Sequence, residues 1–200
     1  MHEYLQEKFG IPVYINNDGD LFAYGEALGG ALPEVNARLE ALGSPKKYKN
    51  LVGYTFGTGL GAGLILNGKL YSGTNDNAGE LGHIRLERFG PVGYGKAGSF
   101  EGFCSGGGLA QLGYMKALEK AQSGEYPMYF KKGMTTADVT AKTVADAADL
   151  GDETALEVYR LCGEYLGRGL SLVIDLLNPE VIVIGSIFAR SKNLLWEPAK

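Results

Sequence analysis

Asp18 is the first residue whose type and position could do chemistry. It follows the apolar run Ile11–Ile15, which we predict to be a short buried strand, and it lies in a loop beside a glycine. A carboxylate at the carboxyl end of a strand is well placed to face a ligand crevice, where it can accept a proton from a substrate hydroxyl. The alternative is that Asn17, Asp18 and Asp20 only form an Asx-type turn.

Glu80 and His83 form a second polar pair, three residues apart. We predict a strand over residues 80–86, in which the two side chains would face opposite sides, although Gly82 between them allows a kink that brings them together. A carboxylate accepts hydrogen bonds from hydroxyl groups, and an imidazole can donate or accept. Glu101 is a third candidate, among small and aromatic residues. For the lone His83, a structural role is the alternative.

The most distinctive pattern is a glycine-rich stretch between two apolar runs, over residues 51–71. The second run ends in Asn67-Gly68, the strongest short signal for a type I′ hairpin turn. Glycines beside a hydroxyl allow backbone N–H groups to approach an anion. The stretch fits both a phosphate-binding turn and a hairpin without a ligand. Its candidate contacts are Gly57, Thr58, Gly59 and Gly61.

The elements that must position these residues follow from periodicity and capping signals. A buried strand is predicted at residues 180–184, after a long helix that Asp152 would cap. A β-meander followed by helices and a final buried strand indicates a mixed α/β lobe, and neither a β-sandwich nor a helix bundle. Helices are predicted at residues 2–9, 21–32, 33–42, 107–121, 141–150, 153–177 and 191–196.

Composition limits the classes of function. The chain is 45% hydrophobic and 21% charged, as in globular proteins, and its net charge of −4 provides no basic surface for nucleic acid. Cys104 and Cys162 form neither a disulfide framework nor a metal motif, which fits a reducing cytoplasm. The chain start lacks a secretory pattern, and no apolar run is long enough for a bilayer. We therefore expect a cytoplasmic protein that binds neither membranes nor nucleic acid through this chain.

Taken in order, these segments resemble the ROK family of sugar kinases and sugar-sensing repressors, within the actin-like ATPase superfamily. The resemblance runs from about Phe9 to Arg190. Gly57–Leu70 is similar to the second phosphate segment of the family, Ala78–His83 to its sugar-binding segment and Leu177–Gly185 to its adenosine segment. The resemblance implies a ribonuclease H-like fold, with a mixed sheet.

The resemblance also implies a role for each candidate residue. Asp18 would be the general base that takes the proton of a sugar hydroxyl during ATP-dependent phosphorylation. Gly185 would lie beside the nucleoside, and ATP and Mg²⁺ would serve the complete enzyme. The sugar hydroxyls would be held by Asn17, Glu80, His83 and Glu101, and the phosphates by Gly57, Thr58, Gly59 and Gly61.

The resemblance leaves the substrate and the activity open. Glucose-like hexoses suit the set of Glu80, His83 and Glu101, but the sequence does not exclude fructose, allose or N-acetylated sugars as substrates. The main interpretation is a glucokinase-like sugar kinase, favoured by Asn17-Asp18. The alternatives are the sugar-binding part of a ROK repressor and a truncated gene product without function.

The chain departs from the family pattern at a metal motif. Many members bind a structural zinc through a histidine and the motif C-x-C-G-x-x-G-C-x-E. Here Val92, Tyr94 and Ser99 stand where the thiolates would be. A tetrahedral zinc site cannot form without these ligands, so we expect no zinc and assign His83 to the sugar alone.

A second departure concerns the first phosphate loop of the family, D-x-G-G-T, which does not occur in the chain. We therefore expect residues 1–27 to be a remnant of the amino-terminal lobe, and residues 28–200 to be the carboxyl-terminal lobe, incomplete at its end. On this expectation the chain alone has little or no kinase activity. A homodimer is also expected, because family members pair through this lobe and an unpaired strand at Ile11–Ile15 would expose an edge.

Overall fold

The computed structural model describes residues 1–200. Nine α-helices and six strands follow one another along the chain, with short 3₁₀ turns at Leu81–His83 and Thr136–Asp138. In chain order the elements are α1 (His2–Phe9), α2 (Asp18–Leu28), α3 (Ala31–Ala41), β1 (Leu51–Phe56), β2 (Leu60–Leu66), β3 (Lys69–Leu70), β4 (Val92–Gly93), β5 (Lys96–Ala97), α4 (Phe100–Phe103), α5 (Gly106–Ala121), α6 (Ala141–Asp149), α7 (Glu153–Leu177), β6 (Val181–Ile184), α8 (Ile187–Arg190) and α9 (Lys192–Leu195).

A four-stranded sheet in the order β3-β2-β1-β6 forms the centre of the fold. β1 pairs antiparallel with β2, where Leu51 faces Ile65, and parallel with β6, where Leu51 faces Val181. The predicted tight turn is present, since Asn67 and Gly68 have φ angles of 54° and 78°. The sheet is mixed, as expected. The last strand lies at its edge and is half-buried, where full burial was expected.

The main core lies between one face of the sheet and the helices α4 to α7. Its largest fully buried side chains include Tyr54, Phe56, Phe100 and Tyr159. As predicted, Asp152 caps α7, since its side chain accepts a hydrogen bond from the Ala155 amide at 2.9 Å. No helix in the protein is both long enough and apolar enough to pass through a membrane.

α2 packs on the opposite face of the sheet at very short range. A Cβ atom on Gly19 would lie 2.8 Å from the carbonyl oxygen of Ala62, and one on Gly63 would lie 2.7 Å from Cβ of Ala23. The backbone of α2 therefore lies directly on β2, with no side chain between them. This contact fixes the amino terminus of α2 beside the glycine-rich loop.

The predicted strand at Ile11–Ile15 is wrong. The segment is irregular, and Ile11, Tyr14 and Ile15 are 59%, 91% and 60% exposed. A strand needs a neighbour for its backbone hydrogen bonds, and no strand of the sheet lies beside this segment. Apolar and β-branched composition alone does not supply that neighbour.

The predicted strand over residues 80–86 is also wrong. The chain forms the 3₁₀ turn Leu81–His83 there, and only Arg85 makes an isolated bridge, to Ser99. Gly82 packs so tightly on β2 that a Cβ atom would overlap the Leu60 carbonyl oxygen. The segment is therefore held against the end of β2, where it cannot join the sheet edge.

The remaining differences are at element boundaries. The helix predicted at residues 21–32 begins earlier, at Asp18, because Asn17 caps it. It ends at Leu28, before Gly29-Gly30, and α3 follows. Residues 89–98, where we predict neither a helix nor a strand, contain the hairpin of β4 and β5.

Candidate functional site

An open cavity of about 650 Å³ lies at the end of β1 and β2. It brings together side chains from α2, the glycine-rich loop, the 3₁₀ turn and α4, which are far apart in the sequence. Of the candidate residues only Gly185 lies outside it. The candidates that line it are Asn17, Asp18, Gly57, Thr58, Gly59, Gly61, Glu80, His83 and Glu101.

Asn17 and Asp18 reach this cavity because they begin α2. The Asn17 side chain accepts hydrogen bonds from the amides of Gly19 and Asp20, at 2.8 and 3.4 Å, and so caps the helix. The Asx-type turn considered as an alternative therefore exists. It is compatible with a role in the site, since Asp18 remains exposed in the cavity. The helix amino terminus stabilises its negative charge.

Glu80 and His83 are brought together by the 3₁₀ turn. Residues i and i+3 of such a turn lie on the same side, and His83 Nε2 is 3.5 Å from Glu80 Oε2. The prediction that the two side chains meet is confirmed, although its reason, a kink in a strand, is wrong. Lys96 Nζ donates a hydrogen bond to the His83 carbonyl oxygen at 2.8 Å and holds the end of the turn.

Glu101 projects from α4, which Ser99 caps. The Ser99 hydroxyl accepts a hydrogen bond from the Gly102 amide at 3.1 Å. One carboxylate oxygen of Glu101, Oε2, accepts a hydrogen bond from the Leu60 amide at 2.9 Å. The other oxygen has no partner within the chain, so the same side chain can hold the protein loop and bind a ligand hydroxyl.

Three further residues with polar side chains line this cavity and were not among the candidates from the sequence: Thr55, Asn77 and Tyr94. The Tyr94 ring stacks on the His83 imidazole, with ring centres 4.6 Å apart and planes 14° apart. The two residues are eleven positions apart, and no periodicity links them. The available signal was Tyr94-Gly95 as a turn between two short segments.

Asp20, two residues after Asp18 on α2, is a buried carboxyl group, only 2% exposed. Its Oδ1 atom has no hydrogen-bond partner. Burial raises the pKa of the Asp20 carboxyl, and the negative charges of Asp76 and Glu80 raise it further. From the sequence Asp20 is only a candidate turn residue, because its burial depends on the packing of α2 against β2.

A second cavity of about 790 Å³ opens on the other side of the glycine-rich loop. Gly57 and Thr58 line both cavities. Gly185 does not line the second cavity, but its neighbour Ser186 does, and the Gly185 amide donates to the Tyr54 carbonyl oxygen at 3.0 Å. Polar side chains from α6 and α8, among them Lys142 and Arg190, complete the lining.

Two backbone hydrogen bonds connect the glycine-rich loop to the start of α5. The amides of Gly106 and Gly107 donate to the carbonyl oxygens of Gly57 and Thr58, at 2.8 and 3.1 Å. The amides of Thr58 and Gly59 donate to no acceptor in the chain. Unpaired N–H groups in a glycine-rich turn are available to anionic oxygens.

The residues at the family's zinc motif do not fit a zinc ion. The Ser99 hydroxyl is used to cap α4, Tyr94 stacks on His83, and Val92 has no donor atom. No three His, Cys, Asp or Glu side chains lie together in a way that could hold a metal. The absence of zinc remains a prediction from the donor set.

Comparisons with known proteins agree with these features. The sequence model of the ROK family matches residues 1–199. The chain is 34% identical over 198 residues to a glucokinase of Halalkalibacterium halodurans, with 98% of this chain and 55% of that protein aligned. It is 29% identical over 196 residues to a xylose repressor of Bacillus spizizenii, with 98% of this chain and 43% of the repressor aligned.

The fold of the chain also matches a solved structure. The ROK family glucokinase from Streptomyces griseus, in complex with glucose and AMPPNP, superposes with a TM-score of 0.75 at 26% identity. The alignment covers 99% of this chain and 59% of that one. The chain spans about half the length of the curated relatives it matches.

Proposed function

Since the chain belongs to the ROK family, we propose that it forms the hexose-binding and nucleotide-binding part of an ATP-dependent sugar kinase. The observation that carries this proposal is the common wall of the two cavities, formed by Gly57 and Thr58. Phosphoryl transfer requires the acceptor hydroxyl and the γ-phosphate to meet at one point, and that wall is such a point.

In the proposed reaction the hexose occupies the smaller cavity. The carboxylates of Glu80 and Glu101 accept hydrogen bonds from its hydroxyl groups, His83 donates or accepts one, and the Asn17 amide donates another. Asp18 takes the proton of the reacting sugar hydroxyl while the oxygen of that hydroxyl forms a bond to the γ-phosphorus of ATP. The bond from the γ-phosphorus to the bridging oxygen breaks, and ADP leaves.

The nucleotide occupies the larger cavity. Its transferring phosphate lies at the free amides of Thr58 and Gly59, which stabilise the negative charge on its oxygens. The nucleoside lies towards Ser186, next to Gly185. Mg²⁺ would neutralise phosphate charge and would take most of its ligands from phosphate and water, as it commonly does in kinases.

Binding and turnover test this proposal separately. Titration calorimetry of the 200-residue chain with glucose, fructose, allose and N-acetylglucosamine should identify one preferred hexose. ATP-dependent phosphorylation is measured for the chain and for a chimera that joins it to the amino-terminal part of a ROK glucokinase. Absence of binding to all four sugars, or a chimera that binds glucose and ATP without turnover, contradicts the proposal.

The second candidate is the sugar-sensing part of a ROK repressor, favoured by the similarity to the xylose repressor. Hexose binding without phosphorylation in the chimera would support it. Asn17-Asp18 at the cavity favours the kinase, because a sensor needs no general base.

Three finer expectations stay proposals. They are a lobe boundary between residues 27 and 28, a cytoplasmic location and a homodimer. The proposed boundary falls within α2 (Asp18–Leu28), and the packing of α2 on β2 holds Asp18 with the sheet. The strand at Ile11–Ile15 does not form, so an exposed strand edge no longer supports the proposed homodimer. Light scattering of the purified chain measures its oligomeric state directly.

A further inference from the structure

Tyr94 occupies a position that turn chemistry disfavours. Tyr94 and Gly95 form the two-residue turn between β4 and β5, with φ angles of 46° and 71°. Such type I′ turns favour Asn, Asp or Gly, and a bulky residue at positive φ is uncommon. The other two-residue hairpin of this chain follows the rule, with Asn67 and Gly68 at the same two positions. The turn itself therefore gives no reason for a tyrosine.

Burial does not explain Tyr94 either. The residue is 83% exposed, so its ring does not fill the core. Its aromatic partner is His83, on which it stacks nearly parallel at 4.6 Å. From the same hairpin, Lys96 binds the His83 carbonyl oxygen at 2.8 Å. The hairpin thus contacts His83 at both its ring and its backbone.

The hairpin is itself held rigidly by the helices behind it. The Gln111 side chain accepts from the Val92 amide at 2.9 Å and donates to the Val92 carbonyl oxygen at 2.8 Å. Gly93 packs against α4, where a Cβ atom would lie 2.6 Å from the Gly102 amide nitrogen. The backbone that carries the Tyr94 ring is therefore fixed relative to Glu101 and the cavity.

We propose that Tyr94 is a positioning residue of the sugar site. Its ring fixes the plane of the His83 imidazole, so that Nε2 stays beside Glu80 and points into the cavity. A residue that violates local turn preference is retained where it serves a site, and an aromatic pair adds stability beyond simple burial. The inference deepens the proposed function and rests on it for the identity of the ligand as a hexose.

The first part of the test needs no ligand. The chain has two histidines, His2 and His83, so the imidazole proton signals of His83 can be resolved by NMR and those of His2 serve as a reference. Stacking predicts an upfield ring-current shift of the His83 signals in the wild type. The shift should persist in Tyr94→Phe, which keeps a ring, and disappear in Tyr94→Asn.

The second part measures glucose affinity by calorimetry. Tyr94→Asn should weaken binding about three- to tenfold, the equivalent of one aromatic pair, while Tyr94→Phe stays within about twofold of the wild type. Tyr94→Asn creates the favoured Asn-Gly turn, so its melting temperature should not fall and unfolding cannot explain the loss. Phe89→Ala, an exposed aromatic in the same segment and outside the cavity, is the matched control.

The outcomes separate the two proposals. Loss of the His83 shift in Tyr94→Asn with unchanged glucose affinity overturns the role of Tyr94 and leaves the proposed function intact. Failure of Tyr94→Phe to restore affinity also overturns it. A wild type that binds none of the four hexoses contradicts the proposed function, and the positioning role with it.

Discussion

The carboxylate of Glu101 accepts a hydrogen bond from the amide of Leu60 at 2.9 Å. Forty-one residues separate the two groups in sequence, and the bond joins α4 to the point where β2 leaves the glycine-rich loop. A side chain proposed to bind sugar therefore also holds the loop proposed to bind phosphate. Substitutions of Glu101 can separate its contribution to the stability of the loop from its contribution to sugar binding.

Glu101→Ala should lower the free energy of unfolding by about 1–3 kcal/mol, because the Leu60 amide loses the charged acceptor of a half-buried hydrogen bond. Glu101→Gln keeps an acceptor and should lose less stability, while both variants should weaken glucose binding. Urea unfolding and calorimetry measure the two effects. Equal stability of wild type and Glu101→Ala would contradict the structural half of this prediction.

Gly63→Ala tests the direct packing of α2 on β2. The added methyl group would overlap the Gly19 carbonyl oxygen, and such overpacking costs about 1–3 kcal/mol. Gly25→Ala in α2 is the matched control, since nothing lies within 4 Å of its added Cβ atom. Helix propensity predicts that this control stabilises by about 0.5–1 kcal/mol. Thermal unfolding of the two variants should move in opposite directions.

Asp20→Asn tests the buried carboxyl of α2. The pKa of Asp20 is raised in the folded state, so its contribution to stability is greatest at acidic pH, below the unfolded pKa, and is lost as pH rises through the folded pKa. At pH 7 the buried charge therefore destabilises the fold, and Asp20→Asn should melt at a higher temperature than the wild type.

The gain from Asp20→Asn should shrink as the pH falls, because the raised pKa of Asp20 lets the wild-type carboxyl take up its proton at a higher pH than an ordinary aspartate does. Asp175→Asn, which removes an exposed carboxylate on α7, controls for the loss of one charge. A melting-temperature difference for Asp20→Asn that is the same at pH 4 and pH 7 would argue against the pKa assignment.

Asp18→Asn tests the proposed general base. Loss of general base catalysis should slow phosphorylation of glucose in the chimera by about 10²- to 10⁴-fold. The Asp18 side chain also accepts a hydrogen bond from the Gly19 amide, at 2.9 Å. Because Asn keeps this acceptor, glucose affinity should change by less than about threefold. Asp175→Asn again serves as the control, and wild-type turnover in Asp18→Asn would remove Asp18 from the mechanism.

The parts of the fold that sequence analysis predicted correctly depend on local chemistry. Asn67-Gly68 carries its turn preference in two residues, and Asp152 caps α7 through its own side chain. The gathering of Asp18, Glu80 and Glu101 in one cavity was implied by the family resemblance, and the structure brings them together.

The parts that were missed depend on distant partners. Ile11–Ile15 has the composition of a strand but no neighbour to pair with. The 3₁₀ turn at Leu81–His83 follows from the close approach of Gly82 to Leu60, which sequence periodicity does not report. The stacking of Tyr94 on His83 likewise joins two turns that only the folded chain brings together.

The glycine contact between α2 and β2 has a mechanical consequence. The backbone of α2 contacts the backbone of β2 directly. No flexible side chain lies between the helix and the sheet to absorb a displacement. The helix end that carries Asp18 and the strand that leaves the glycine-rich loop therefore move as one rigid body. The distance between the proposed base and the proposed phosphate loop is therefore set when the protein folds.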